Sequence, residues 1–149
     1  MLRPVADTKI RALKQVPLFV NCTPRELAFI AGEADEVSVP AGKELTRQGK
    51  LGHTFYVMLD GEAEVRIDGQ HRGTMGKGDF FGEISMLDGG EGTATVTTTS
   101  PSRLMVMSHS QFRDVVKNND GILVKVLGAM ATRLRKDLDY AKGGKPPTP

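Results

Sequence analysis

A chain of 149 residues with a net charge of +2 fits a single domain with terminal additions, long enough to build a core without metal or disulfide support. That near-balance of charge argues against wholesale neutralisation of a nucleic-acid backbone. The lone cysteine, Cys22, excludes an intrachain disulfide and fits a reducing compartment, and no apolar run is long enough to span a membrane. The N-terminus alternates charged and apolar residues without a secretory core, so a cytoplasmic location is expected.

Residues 7–16 can form a short helix with Ile10, Leu13 and Val16 near one stripe, ended by Pro17. Thr23-Pro24-Arg25-Glu26 is a helix start. Thr23 can cap, Pro24 suits the first helical position, and Glu26 completes a capping box. Leu27, Ile30, Ala31 and Ala34 then form an apolar face. Cys22, beside this start, reads as a small apolar residue rather than a reactive thiol.

From Glu36 to Met107 the period changes to short strands separated by turn pairs. Val37 and Val39 alternate before Ala41-Gly42. Phe55 to Leu59 reads as a buried strand, and Asp60-Gly61 as a hairpin turn. Ala63, Val65 and Ile67 alternate with Glu62, Glu64 and Arg66, giving one core face and one wet face. Asp68-Gly69 makes the next hairpin, and Gly76-Lys77-Gly78-Asp79 a further turn. Thr93 to Thr99 alternates again, with its threonines on the wet face, and Ser100-Pro101 turns the chain into Arg103 to Met107. The pattern predicts a closed or folded-over antiparallel barrel.

Helix returns at Ser108, where Ser108 and Gln111 make a second capping box and Phe112, Val115 and Val116 supply a core face. Asn118 to Gly121 breaks it. Leu123, Leu127, Met130, Leu134 and Leu138 then define a long amphipathic helix. The first half of this stripe is expected to pack on its own barrel. The second half, Met130, Leu134 and Leu138, is expected to pair with a second copy. Residues 140–149, with Lys142 and Lys145, read as a disordered tail.

The most informative stretch lies between these regions: Phe80-Phe81-Gly82-Glu83-Ile84-Ser85-Met86-Leu87, followed by Asp88 to Val96. A glycine that allows close backbone approach, a short helix opening after it and a carboxylate at its first turn have the form of a phosphate-binding turn. With Pro17-Leu18-Phe19, Ala41-Gly42-Lys43 and Phe55 to Val65, and with turn glycines at Gly49, Gly52 and Gly61, the chain from about Val16 to Leu138 resembles the cyclic-nucleotide-binding domain. The resemblance implies an α+β, mainly β fold: an eight-stranded antiparallel β-roll (jelly roll) flanked by N-terminal helices and a long C-terminal helix. It places a lead-in at 1–16, the binding domain at 17–139 with the roll at about 36–107, and helices at 108–139.

The resemblance also implies a ligand site made of Phe81, Gly82, Glu83, Ile84, Ser85, Gly92, Thr93, Ala94 and Thr95. Gly82 and the amides of Glu83, Ile84 and Ser85 would face a cyclic phosphate, where unpaired N–H groups and the helix dipole favour an anion. Glu83 would accept from the ribose 2′-hydroxyl. Thr93 and Ala94 would add donors. Apolar barrel residues, with the C-terminal helix as a lid, would cover the base, and Asp137 lies near the position that senses its edge. The ligand would be cyclic AMP, or less favourably cyclic GMP, and no cofactor is expected. At one position the pattern breaks: Gly92 stands where the family places an arginine on the phosphate, with acidic Glu91 beside it. A charge-assisted hydrogen bond is worth roughly 1.5–3 kcal/mol, so its loss weakens binding about ten- to a hundredfold. Arg72, Lys77 and Arg103 are candidate substitutes.

Other chemistries find little support. His53, His71 and His109 are scattered without metal-ligand spacing. Gly76-Lys77-Gly78 is no P-loop, because His71 stands where the earlier glycine is needed and no Ser or Thr follows Lys77. No nucleophile elbow or triad spacing is present, so enzyme activity is not expected. Two readings remain. One is a sensor whose hinge helix, Ser108 to Lys117, shifts on binding and repositions the long helix toward an unknown effector or a paired subunit. The other is a degenerate fold that acts as an interaction module without nucleotide. About ten residues follow Leu138, too few for a DNA-reading module. The chain is thus expected to be a sensor without its own effector, or a part of a longer protein.

Overall fold

The computed structural model describes residues 4–16, 19–52, 54–82 and 90–141. Helices α1 (Pro4–Lys14) and α2 (Pro24–Glu33) come first. Among the described residues eight strands follow: β1 (Asp35–Val39), β2 (Glu44–Thr46), β3 (Thr54–Asp60), β4 (Ala63–Ile67), β5 (Gln70–Met75), β6 (Phe80–Phe81), β7 (Thr95–Thr98) and β8 (Ser102–Ser108). Helices α3 (His109–Asn118) and α4 (Asp120–Ala141) come after the strands.

The strands form two antiparallel sheets of four, in the orders β1-β8-β3-β6 and β2-β7-β4-β5. This is the expected mainly β roll. Strand alternation sorts the apolar residues into two cores. Phe55, Val57 and Leu59 of β3, Phe80 of β6, and Met105 and Met107 of β8 face the helices, packing on Leu13, Phe19, Leu27, Ile30, Phe112 and Ile122. Met58, Phe81 and Leu104, from the opposite faces of the same strands, meet Ala63, Val65, Met75 and Val96 between the sheets.

Local signals set the element ends. The Thr23 hydroxyl accepts the Glu26 N–H at 3.2 Å while Glu26 accepts the Thr23 N–H at 2.8 Å. Ser108 and Gln111 repeat the arrangement at 3.2 and 2.7 Å. The Asp68-Gly69 turn joins β4 to β5, with φ of +54° and +77°. Asp60-Gly61 is different. The strands it joins, β3 and β4, pair with other partners in different sheets, so this turn is a crossover between layers and not a hairpin.

The long stripe of α4 also divides otherwise than expected. Ile122, Ala129 and Met130 pack on the helix-side core. Leu123 and Leu127, expected against the barrel, are exposed together with Val124, Leu134 and Leu138. Met130 thus belongs to the domain's own core, and the outer stripe begins earlier than the leucine spacing suggests. Among the described residues no helix is long and apolar enough to cross a membrane.

Candidate ligand-binding site

Strand β6 delivers the chain to Gly82, beside β3. Gly82 has φ +91°, a conformation that favours glycine, and a Cβ there would collide with the Thr54 carbonyl oxygen. Close backbone approach is therefore present as expected, but the neighbour is β3. Glu83, Ile84 and Ser85 lie outside the described residues. Phe81 is buried. Its ring stacks on Tyr56, its register partner on β3, at a centroid distance of 4.9 Å and an interplanar angle of 16°. The Tyr56 hydroxyl donates to the Leu45 carbonyl at 3.1 Å, bracing one sheet against the other, and burial pushes its pKa up.

The return of the chain is fixed by the turn between β2 and β3. Gly92 donates its N–H to the Lys50 carbonyl at 2.8 Å and accepts the Gly49 N–H at 3.0 Å. Bridges Gln48–Gly92 and Leu51–Glu91 extend this pairing. Both backbone groups of Gly92 are thus engaged by protein. Its missing side chain has a steric reason as well: a Cβ would lie 2.6 Å from the Arg47 carbonyl oxygen and 3.6 Å from that of Lys50.

Thr93 follows in a bend and is exposed. Ala94 packs at the edge of the inter-sheet core, and its carbonyl accepts from the Thr46 hydroxyl at 3.0 Å. The Thr95 hydroxyl accepts the Gln48 N–H at 3.0 Å and ties β7 to the same turn. Thr95 and Thr97 are half-buried rather than fully wet. Thr98 is buried, donates to the Pro40 carbonyl at 2.7 Å and accepts the Lys43 N–H at 2.9 Å.

The expected substitutes for a cation at residue 92 lie elsewhere. Arg103 is paired with Glu36 at 3.2 Å on the first sheet. Arg72 sits on β5, the edge strand at the far side of β4 from β7. Lys77 is exposed in the turn between β5 and β6. The cations brought next to Gly92 are Arg47 and Lys50, more than forty residues earlier in sequence, and only the strand order β2-β7 joins them. Arg47 is gripped by Glu44 through contacts of 2.8 and 3.2 Å. Gln48 is held at the other side, giving a 3.0 Å bond to the Asp68 carboxylate and accepting the Asp68 N–H at 2.7 Å. The sequence signal for this turn was its glycine, Gly49, with φ +85°. Among the described residues no cluster of His, Cys, Asp or Glu could hold a metal ion.

Comparison with known proteins agrees with this geometry. The sequence model of the cyclic nucleotide-binding domain matches residues 36–119, more than half of the chain, and the chain belongs to that family. It is 30% identical over 113 residues to a cAMP-dependent protein kinase regulatory subunit of Colletotrichum orbiculare, covering 74% of this chain and 29% of the relative. The catabolite activator protein of Thermus thermophilus superposes with a TM-score of 0.74 at 27% identity, covering 84% of this chain and 62% of that one. The N-terminal domain of a Streptomyces coelicolor transcriptional regulator gives 0.75 at 26% identity, covering 87% and 94%. The chain therefore spans only part of the full-length relatives it matches.

Proposed function

We propose that this chain is a regulatory sensing module, not an enzyme, and that it binds a cyclic nucleotide, cyclic AMP in preference to cyclic GMP, in a cytoplasmic setting. The observation that carries this reading is how both ends of the cassette are pinned. Gly82 is pressed on the Thr54 carbonyl and Gly92 is bonded to the Gly49–Lys50 turn. These two anchors fix where the chain leaves β6 and where it rejoins the roll. In this reading Glu83 accepts from the ribose hydroxyl, the amides of Glu83, Ile84 and Ser85 face the phosphate, and Thr93 adds its exposed hydroxyl. Residues 17–139 are the sensing unit, with 1–16 as lead-in and 140–149 as tail. Binding shifts α3, and α4 carries the change to an effector protein or a second copy, without direct contact to DNA.

Calorimetric titration with cyclic AMP and cyclic GMP tests this. Wild type should give heat, stronger with cyclic AMP, and Glu83→Ala should abolish it. No heat from wild type at millimolar ligand would instead favour an interaction module. The exposed row of Leu127, Leu134 and Leu138 on α4 favours that second reading. In either case this row is the surface proposed to pair two copies.

A further inference from the structure

Residue 92 offers a bound anion neither side chain, nor free N–H, nor space to acquire a side chain without moving the neighbouring turn. The positive charge has to come from elsewhere. The turn that consumes the polar groups of Gly92 carries two cations. Arg47 is held by Glu44 in a two-point contact, while Lys50 is exposed and has no side-chain partner among the described residues. The carbonyl of Lys50 is itself the acceptor for Gly92, so its Cα is fixed next to the position the family fills with arginine. A lysine ammonium on a flexible four-carbon stem can then reach forward as a point charge, which an arginine built at residue 92 could not do in this packing.

We infer that Lys50 is the residue that meets the anionic group of the ligand in this chain, supplied from the β2–β3 turn in place of the cassette arginine. The inference rests on the cyclic-nucleotide reading above. The bland alternative is a solvated surface lysine, and the two differ in what the charge is worth. A solvated lysine acts on a charged ligand only through weak, screened attraction. A phosphate contact adds a charge-assisted hydrogen bond, felt strongly and only by ligands that carry the phosphate.

The test is calorimetry on the full chain at low ionic strength with two probes: cyclic AMP, and adenosine, which has the base and ribose without the charge. Lys50→Met should weaken cyclic AMP about ten- to a hundredfold and leave adenosine within about twofold. Arg72→Met, which removes an equal charge at the far edge of the same sheet, should change neither. Added salt should weaken cyclic AMP binding to wild type more than to Lys50→Met. Unchanged cyclic AMP affinity in Lys50→Met overturns the inference and leaves the sensor reading standing. Silence of the wild type toward both cyclic nucleotides overturns the sensor reading, and the role of Lys50 with it. Because Lys50 is exposed and contributes only its backbone to the turn, the variant should melt like wild type, which keeps a folding defect separate from lost affinity.

Discussion

The two ends of the cassette are both glycines pressed on a neighbouring carbonyl, yet they are not equivalent. At Gly82 the neighbour is Thr54 of β3, a strand paired on both sides, and φ is +91°. Conformation and space both demand glycine there. At Gly92 the backbone is not in the left-handed region, and only space excludes a side chain. The neighbour is a turn, which can yield more cheaply than a central strand. A further tight position is Gly121 of α4, where a Cβ would lie 2.8 Å from a carboxylate oxygen of Glu26 and would meet only the end of a side chain. The cost of a close contact depends on what must move.

That grading can be broken by substitution. Gly82→Ala should be the most damaging, destabilising by about 2–4 kcal/mol through left-handed strain plus overpacking. A lowered urea midpoint at unchanged slope is the measurement. Gly92→Ala should cost about 1–2 kcal/mol, since the turn can retreat at the expense of its bonds to residue 92. Equal costs at the two sites would show the turn to be as rigid as β3, and the contrast would fail. The same reasoning changes the expectation for Gly92→Arg. From sequence alone it restores a phosphate contact; in this packing it first displaces the turn, so stability should fall, and the gain in affinity should be small.

The smallest effect concerns the joint of α2 and α4. Lys125 donates to Glu26 at 2.6 Å, and Glu26 also caps α2 through Thr23. The hydrogen bond from Lys125, then that from the Thr23 N–H, holds the Glu26 carboxyl below its ordinary pKa. A lowered folded-state pKa stabilises above the unfolded value of about 4.3, and the benefit is lost as pH falls through the folded value. Lys125→Met should therefore cost about 0.5–1 kcal/mol near neutral pH, and the cost should shrink as pH falls through the lowered folded-state value. A penalty constant with pH would mean that lost packing, not the ion pair, is responsible. Cys22 lies at the same joint. Burial first, and the Glu26 charge second, push its thiol up, in keeping with an apolar role.

The local elements were legible because their causes are local. The capping boxes at Thr23 and Ser108, the Asp68-Gly69 hairpin and the alternation of β4 all follow from residues within a few positions of one another. Asp60-Gly61 misled, since a turn pair does not reveal whether its strands stay in one sheet. The leucine stripe of α4 misled for a similar reason: spacing defines a face but not the neighbour that covers it, and Ile122 and Met130 found the core while Leu127 did not.

The sequence by itself determined the family, the order of elements and the absence of a side chain at residue 92. Only the tertiary structure decided why that residue is glycine and which cations stand beside it. Pairing of β2 with β7 is a long-range property: it brings the Gly49–Lys50 turn against Gly92 only when both strands are packed, and no local periodicity encodes that pairing.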